Sequence, residues 1–175
     1  LRMKNLKNPS YKQLMDGIKA LRFIIKREEN KFIKFPDADI YHYRKKIYII
    51  PQLPRQNNEL LNLFPNKTID LDYGMGSISL NKSKDTGIDP RIAKNGLKLS
   101  FRVGGEIIKP AGKKYHYKLK KLFQENKIYP WMRNRIPLFF YENEVVSVGN
   151  FWIAEKFSKS NGYKINWHKK PELND

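Results

Sequence analysis

A search for catalytic chemistry in the sequence mostly fails. The three histidines, His42, His116 and His168, stand far apart and show neither HExxH nor His-x-His spacing, so no metal site is expected. The chain has no cysteine, which removes a thiolate zinc site, a disulfide scaffold and a cysteine nucleophile, and fits a reducing compartment. The carboxylate pairs Asp37/Asp39, Asp70/Asp72 and Glu142/Glu144 have spacings that could hold a cation or act as acid and base; in strands or turns they read as solvated side chains. Gly104-Gly105 lacks the GxGxxG context, and no GxxxxGK[ST] occurs, so no nucleotide-binding loop is visible. No self-sufficient active site is expected.

Anion-binding chemistry is another matter. Gly104, Gly105 and Gly112 permit close backbone approach, and Lys109, Lys113 and Lys114 flank the expected start of a helix over Tyr115–Asn126. Backbone N–H groups at such a start, with lysines around them, make a donor cluster suited to phosphate. On the helix, Lys114, Lys118 and Lys121 share one stripe, away from the Leu119/Leu122/Phe123 stripe that would pack. Arg102, Arg133 and Arg135 can join from neighbouring elements. A solvated basic helix is the plain alternative.

The distribution of charge favours a polyanion. The 175 residues carry 35 Lys+Arg and 17 Asp+Glu, a formal charge of +18. Residues 1–50 hold +8, 51–97 +1, 98–135 +9 and 136–175 zero. Charge kept for solubility is spread out and mixed in sign, whereas two concentrated blocks repel themselves unless something binds there. Nucleic acid is the leading reading, with an acidic membrane surface or a solvated face behind it. A hydrophobic content of 40% suffices for a core, and no apolar run approaches the roughly 18 residues of a membrane span.

These groups must be positioned by short elements. Tyr11, Leu14, Met15, Ile18, Leu21 and Ile25 predict an amphipathic helix, with Ser10 as N-cap and Gln13 completing a capping box. Strands are expected at 32–35, 40–43 and 47–50, the last two as a hairpin around Arg44-Lys45-Lys46. Pro51, Pro54, Gln56, Asn57 and Asn58 form the linker candidate, giving domains 1–54 and 55–175. Further strands are expected at 68–71, 77–80, 97–103, 138–141, 145–148 and 151–153, with a polar loop over 81–95. A short helix is expected over Trp131–Arg135, opened by Pro130, and the tail from Lys169 is expected to fray. Trp131 and Trp152 read as core residues rather than base-stacking platforms. The start, Leu1-Arg2-Met3-Lys4, does not read as a signal peptide and suggests a piece of a longer chain.

The run Phe101-Arg102-Val103-Gly104-Gly105-Glu106-Ile107-Ile108-Lys109-Pro110-Ala111-Gly112 resembles the C-terminal domain of the bacterial tRNA(Ile)-lysidine synthase family. So do Leu119-Lys120-Lys121-Leu122-Phe123-Gln124-Glu125 and Pro130-Trp131-Met132-Arg133-Asn134-Arg135-Ile136-Pro137-Leu138. The family pattern is approximately RxGGE…RPxG…LKKLFQE…PPWxRxRxPLL, followed by a strand pair, here Val145–Ile153. The resemblance covers roughly residues 97–155; residues 1–50 resemble the end of the family's middle domain by order and pattern.

The resemblance implies an α+β fold: a small helix-plus-hairpin piece, then a layered β domain with one main packed helix, similar to a domain of the phenylalanyl-tRNA synthetase β chain. Enzymes of this family use ATP and lysine to convert the wobble cytidine of an isoleucine tRNA to lysidine. Their ATP, Mg and lysine chemistry belongs to a PP-loop domain with an SGGxDS motif, absent from these 175 residues. The resemblance therefore implies a tRNA-holding role around the acceptor stem, no cofactor in this chain, no activity of the fragment alone, and a cytoplasmic setting. By motif match Arg102, Lys109, Lys120, Lys121, Arg133 and Arg135 become candidate RNA contacts; Lys113, Lys114 and Lys118 rest on charge and periodicity. This chain departs from the pattern at Lys109, where an Arg is usual, and at Tyr115, where a Gly often stands. A stand-alone module for structured RNA or a protein partner is the alternative, and a homodimer stays open.

Overall fold

The computed structural model describes residues 8–27, 32–35, 37–52 and 61–174. The linker expected around Pro54, Gln56, Asn57 and Asn58 lies outside them. The chain divides into two compact units, Leu1–Arg55 and Gln56–Asp175.

In the first unit, α1 (Tyr11–Lys26) begins as its cap chemistry dictates. The Gln13 N–H donates to Ser10 Oγ at 3.3 Å, and the Ser10 N–H donates back to Gln13 Oε1 at 2.9 Å. The helix buries Gly17 and Ile24, while Tyr11, Leu14, Met15 and Ile18 of its apolar stripe stay exposed. Gly17 is needed there because the Phe35 ring occupies the space of a Cβ. A three-stranded antiparallel sheet, β1 (Phe32–Lys34), β2 (Ala38–Tyr43) and β3 (Lys46–Pro51), completes the unit in the order β1-β2-β3. Arg44 and Lys45 form its two-residue hairpin loop, with φ of 51° and 64°.

The second unit holds β4 (Leu61–Leu63), β5 (Thr68–Asp70), β6 (Ser77–Lys82), β7 (Gly87–Ile88), α2 (Pro90–Lys94) and β8 (Leu97–Phe101). It continues with β9 (Ile107–Ile108), β10 (Tyr117–Lys118), α3 (Leu119–Glu125), β11 (Pro137–Tyr141), β12 (Glu144–Val148) and β13 (Trp152–Ile153). A 3₁₀ turn at Glu155–Phe157, β14 (Ser158–Lys159) and β15 (Tyr163–His168) follow. Two five-stranded antiparallel sheets result, in the orders β13-β12-β11-β8-β4 and β14-β7-β15-β6-β5, with β9 and β10 as a separate ribbon. The α+β class and the layered β domain are as expected.

The core explains the order. Leu63, Leu97, Leu99, Leu138, Phe139, Val146 and Val148 fill the first sheet, and Ile78, Leu80, Ile88 and Ile165 the second. Phe151 meets Trp167 edge-on at 6.4 Å, joining the β12–β13 turn to β15, and the Trp167 indole N–H donates to Met75 O at 2.6 Å. Helix α3 buries Leu119, Leu122 and Phe123, the last lying 5.9 Å from Trp152.

Several expectations need correction. The 81–95 segment carries the end of β6, all of β7, and α2, whose N-cap Asp89 accepts from the Arg91 N–H at 2.8 Å ahead of Pro90. Helix α3 starts at Leu119, because Tyr117 and Lys118 pair with Ile108 and Ile107 instead. Residues 131–135 make successive turns, closed by Met132 N–H to Tyr129 O and Arg135 N–H to Met132 O. The tail is docked: Leu173 is buried and its carbonyl accepts from the Tyr129 N–H at 2.8 Å.

Candidate nucleic-acid interface

The glycine turn is built around one carboxylate. Val103 and Gly104 donate their backbone N–H groups to Glu106 Oε1, both at 2.7 Å, and Glu106 Oε2 lies 3.3 Å from Arg102 Nε. The arginine contact is a charge pair without hydrogen-bond alignment, since neither Arg102 Nε nor Glu106 Oε2 has a hydrogen-bond partner. The Glu106 carbonyl accepts from the Leu119 N–H at 3.0 Å and so fixes where α3 begins. Gly104 and Gly105, at φ of 119° and 88°, supply a backbone conformation that other residues resist. The Arg-x-Gly-Gly-Glu string is therefore a self-bound scaffold.

The loop beyond it is bolted to the first sheet. Ala111 donates its N–H to Ile153 O and Glu155 donates to Lys109 O, both at 2.8 Å. Residues 112–116 then stand exposed, β10 returns along β9, and α3 follows without a break. Lys113, Lys114, Lys118 and Lys120 project from this loop–strand–helix run as exposed side chains. Among the described residues none of the four is paired with a carboxylate.

The nine candidates thus separate. Arg102 is held by Glu106 and donates to Asn134 Oδ1 at 3.2 Å. Lys109 pairs with Glu155. Lys121 is exposed on the outer face of α3, 3.8 Å from Glu125, with its ammonium 5.9 Å from the centre of the Tyr117 ring. Arg133 donates from Nε to Ile128 O at 3.0 Å, bracing the turns before β11. Arg135 is buried at 8% exposure. Charge alone groups all three arginines with the lysines because arginine is ordinarily exposed; the turns that bring Glu106 to Arg102 and the Ile128 carbonyl to Arg133 are visible only in the fold.

The helix–phosphate cradle also changes. The N–H groups expected at residues 115–118 belong to the loop and the β9–β10 ribbon, and α3 has only seven residues. What remains is cationic: Lys118 is its N-cap without a side-chain cap bond, Lys120 and Lys121 lie in its first turn, and no acid accompanies them. Positive charge at a helix N-terminus opposes the helix dipole, so this arrangement costs stability unless an anion approaches.

Beside the glycine turn lies a cleft of about 720 Å³, lined by Ile107, Lys109, His116, Phe140, Glu144 and Lys156 among others. Its lysines are answered by the protein's own acids, Lys109 by Glu155 and Lys156 by Glu144. That neutralisation makes the cleft a poor phosphate site. Among the described residues no three His, Asp or Glu side chains gather around a common point. The Arg91 guanidinium beside Asp89, with the Arg91 N–H, holds the Asp89 carboxyl down at about 2. This pairing belongs to the α2 cap.

The tryptophans face inward or onto neighbours: Trp131 stacks on Tyr129 at 4.6 Å, Trp152 touches Phe151 and Phe123, and Trp167 is buried. No helix among the described residues is long and apolar enough to cross a membrane.

Fold and surface together define a layered antiparallel β domain that carries a basic loop and helix on a self-braced glycine turn. Residues 97–167 match the family model described as the TilS substrate C-terminal domain. The chain is 33% identical over 174 residues to a tRNA(Ile)-lysidine synthase of Buchnera aphidicola subsp. Schizaphis graminum, covering 94% of this chain and 37% of that protein. It is 29% identical over 161 residues to that of Coxiella burnetii, covering 91% and 35%. A crystal structure of a TilS C-terminal domain superposes with a TM-score of 0.52 at 18% identity, over 64% of this chain and 98% of that one, and shows the same fold. Over residues 97–167 the second unit is therefore similar to the TilS C-terminal domain, whose fold it shares. The chain spans about a third of the length of the curated relatives it matches.

Proposed function

We propose that this chain is the tRNA-holding portion of a tRNA(Ile)-lysidine synthase, the ATP-dependent ligase that joins lysine to the wobble cytidine of an isoleucine tRNA. In this reading residues 1–54 end the middle domain and residues 55–175 grip the tRNA around its acceptor stem. ATP, magnesium and lysine are handled by a PP-loop domain outside these 175 residues, and this fragment alone makes no lysidine.

The observation that carries the reading is the run Lys113, Lys114, Lys118 and Lys120, exposed and unanswered by carboxylates, reinforced by Lys121. A lysine is a compact, hydrated point charge, suited to tracking a phosphate backbone without reading bases. The braced turn and the sheet-bonded loop hold the lysine stems on a fixed frame, which lowers the ordering cost of binding. Arg102, Arg133 and Arg135 act inside the domain, holding that frame. Recognition by backbone and shape suits an RNA helix, whose deep major groove side chains cannot enter.

Binding of the isoleucine tRNA to residues 1–175 tests the reading. Reversing Lys120 and Lys121 to Glu weakens binding strongly while circular dichroism shows the fold retained. Unchanged affinity refutes the site, and lysidine formed by the fragment with ATP and lysine refutes the division of labour.

A further inference from the structure

Tyr115 stands out among the aromatic residues of the second unit. It is 61% exposed, the most of any described Phe, Trp or Tyr there, against 49% for Tyr73 and 44% for Phe64. Phe64 packs on Gly96, which leaves no room for a Cβ against its ring. Tyr115 sits at the crest of the exposed loop, directly after Lys113 and Lys114, and the Lys114 ammonium lies 5.4 Å from its ring centre. Keeping a large ring in water forfeits the favourable burial of its apolar surface.

We infer that Tyr115 is a stacking platform for an unpaired base of the bound RNA, flanked by lysines that take the adjoining phosphates. The inference rests on the proposed tRNA-binding role and adds a contact of a different kind. Stacking needs only an open ring face and is indifferent to base identity, so Tyr115 responds to unpaired nucleotides, not to sequence. Lys114 beside the ring favours the arrangement, since a cation near an aromatic–base stack adds attraction to both π systems. A neutral contact also leaves a distinct signature: it raises affinity without releasing counterions.

The test measures binding of residues 1–175 to an RNA duplex with and without an unpaired 3′ overhang, alongside Lys120→Glu/Lys121→Glu as a control. Tyr115→Ala is expected to weaken overhang binding about 5- to 150-fold, to leave blunt-duplex binding and the salt slope unchanged, and to keep the wild-type melting temperature. Tyr115→Phe is expected to bind as wild type. Equal losses on both duplexes, or none on either, overturn the inference. A salt slope reduced by about 0.7–0.9 also overturns it, because Tyr115 would then merely orient Lys114. If the lysine control binds as tightly as wild type, the tRNA-binding reading itself has failed.

Discussion

Glu106 and Arg102 face each other across the glycine turn, Oε2 to Nε at 3.3 Å, while the other Glu106 oxygen holds the Val103 and Gly104 N–H groups. A motif that resembles a phosphate grip is thus closed upon itself. Its arginine supplies internal charge balance, and its glutamate determines where the turn ends and α3 starts.

Glu106→Ala should therefore act on stability. It removes two charge-assisted backbone contacts and leaves Arg102 half-partnered, a loss of about 1.5–3 kcal/mol. Denaturant unfolding should show the midpoint fall with the slope unchanged. A variant as stable as wild type would contradict the scaffold role.

Arg102 and Lys113 should behave as opposites. Arg102→Ala lowers the melting temperature and leaves the salt dependence of RNA binding alone. Lys113→Gln leaves the melting temperature alone and lowers the log–log salt slope by about 0.7–0.9. A reversed pattern would put the arginine back among the RNA contacts.

Lys120→Glu separates function from stability. It replaces an unfavourable charge in the first turn of α3 with a favourable one, a gain of about 0.3–1 kcal/mol at low salt. The same change weakens tRNA binding. A protein both more stable and less competent would mark a surface kept for its partner; a loss of stability would contradict the dipole argument.

The Asp89 cap sets an acid limit. With the folded carboxyl held at about 2 by Arg91 and an unfolded value near 3.9, its contribution is full above pH 4 and fades as pH falls toward 2. Melting curves of wild type and Asp89→Asn should differ at neutral pH and converge through that window. A difference that persists at pH 2 would contradict the assignment.

What the sequence shows and what it hides follows from range. The α1 cap is legible because Ser10 and Gln13 are three residues apart and both halves of the box are local. The α2 signal, Asp89 before Pro90, is also present but lies inside a polar stretch that reads as loop. The α3 boundary is not legible: Tyr115–Lys118 keep a helical spacing, and only Ile107 and Ile108, brought alongside by the Glu106 turn, claim Tyr117 and Lys118 for a strand. The site divides likewise. Its lysines are visible as charge, while the burial of Arg135 shows only in the folded domain and the hold of Glu155 on Lys109 joins residues far apart in the chain. Alternation in Tyr163–His168 is a strand signal that the sequence carries just ahead of a tail expected to fray.

The most direct test is the salt dependence of tRNA affinity for residues 1–175 and for the variant with Lys113, Lys114, Lys118 and Lys120 all changed to Gln. Removing four phosphate-binding ammonium groups should flatten the log–log slope by about 2.8–3.6, with the fold intact by circular dichroism. An unchanged slope would mean that the polyanion, if bound at all, rests on some other face.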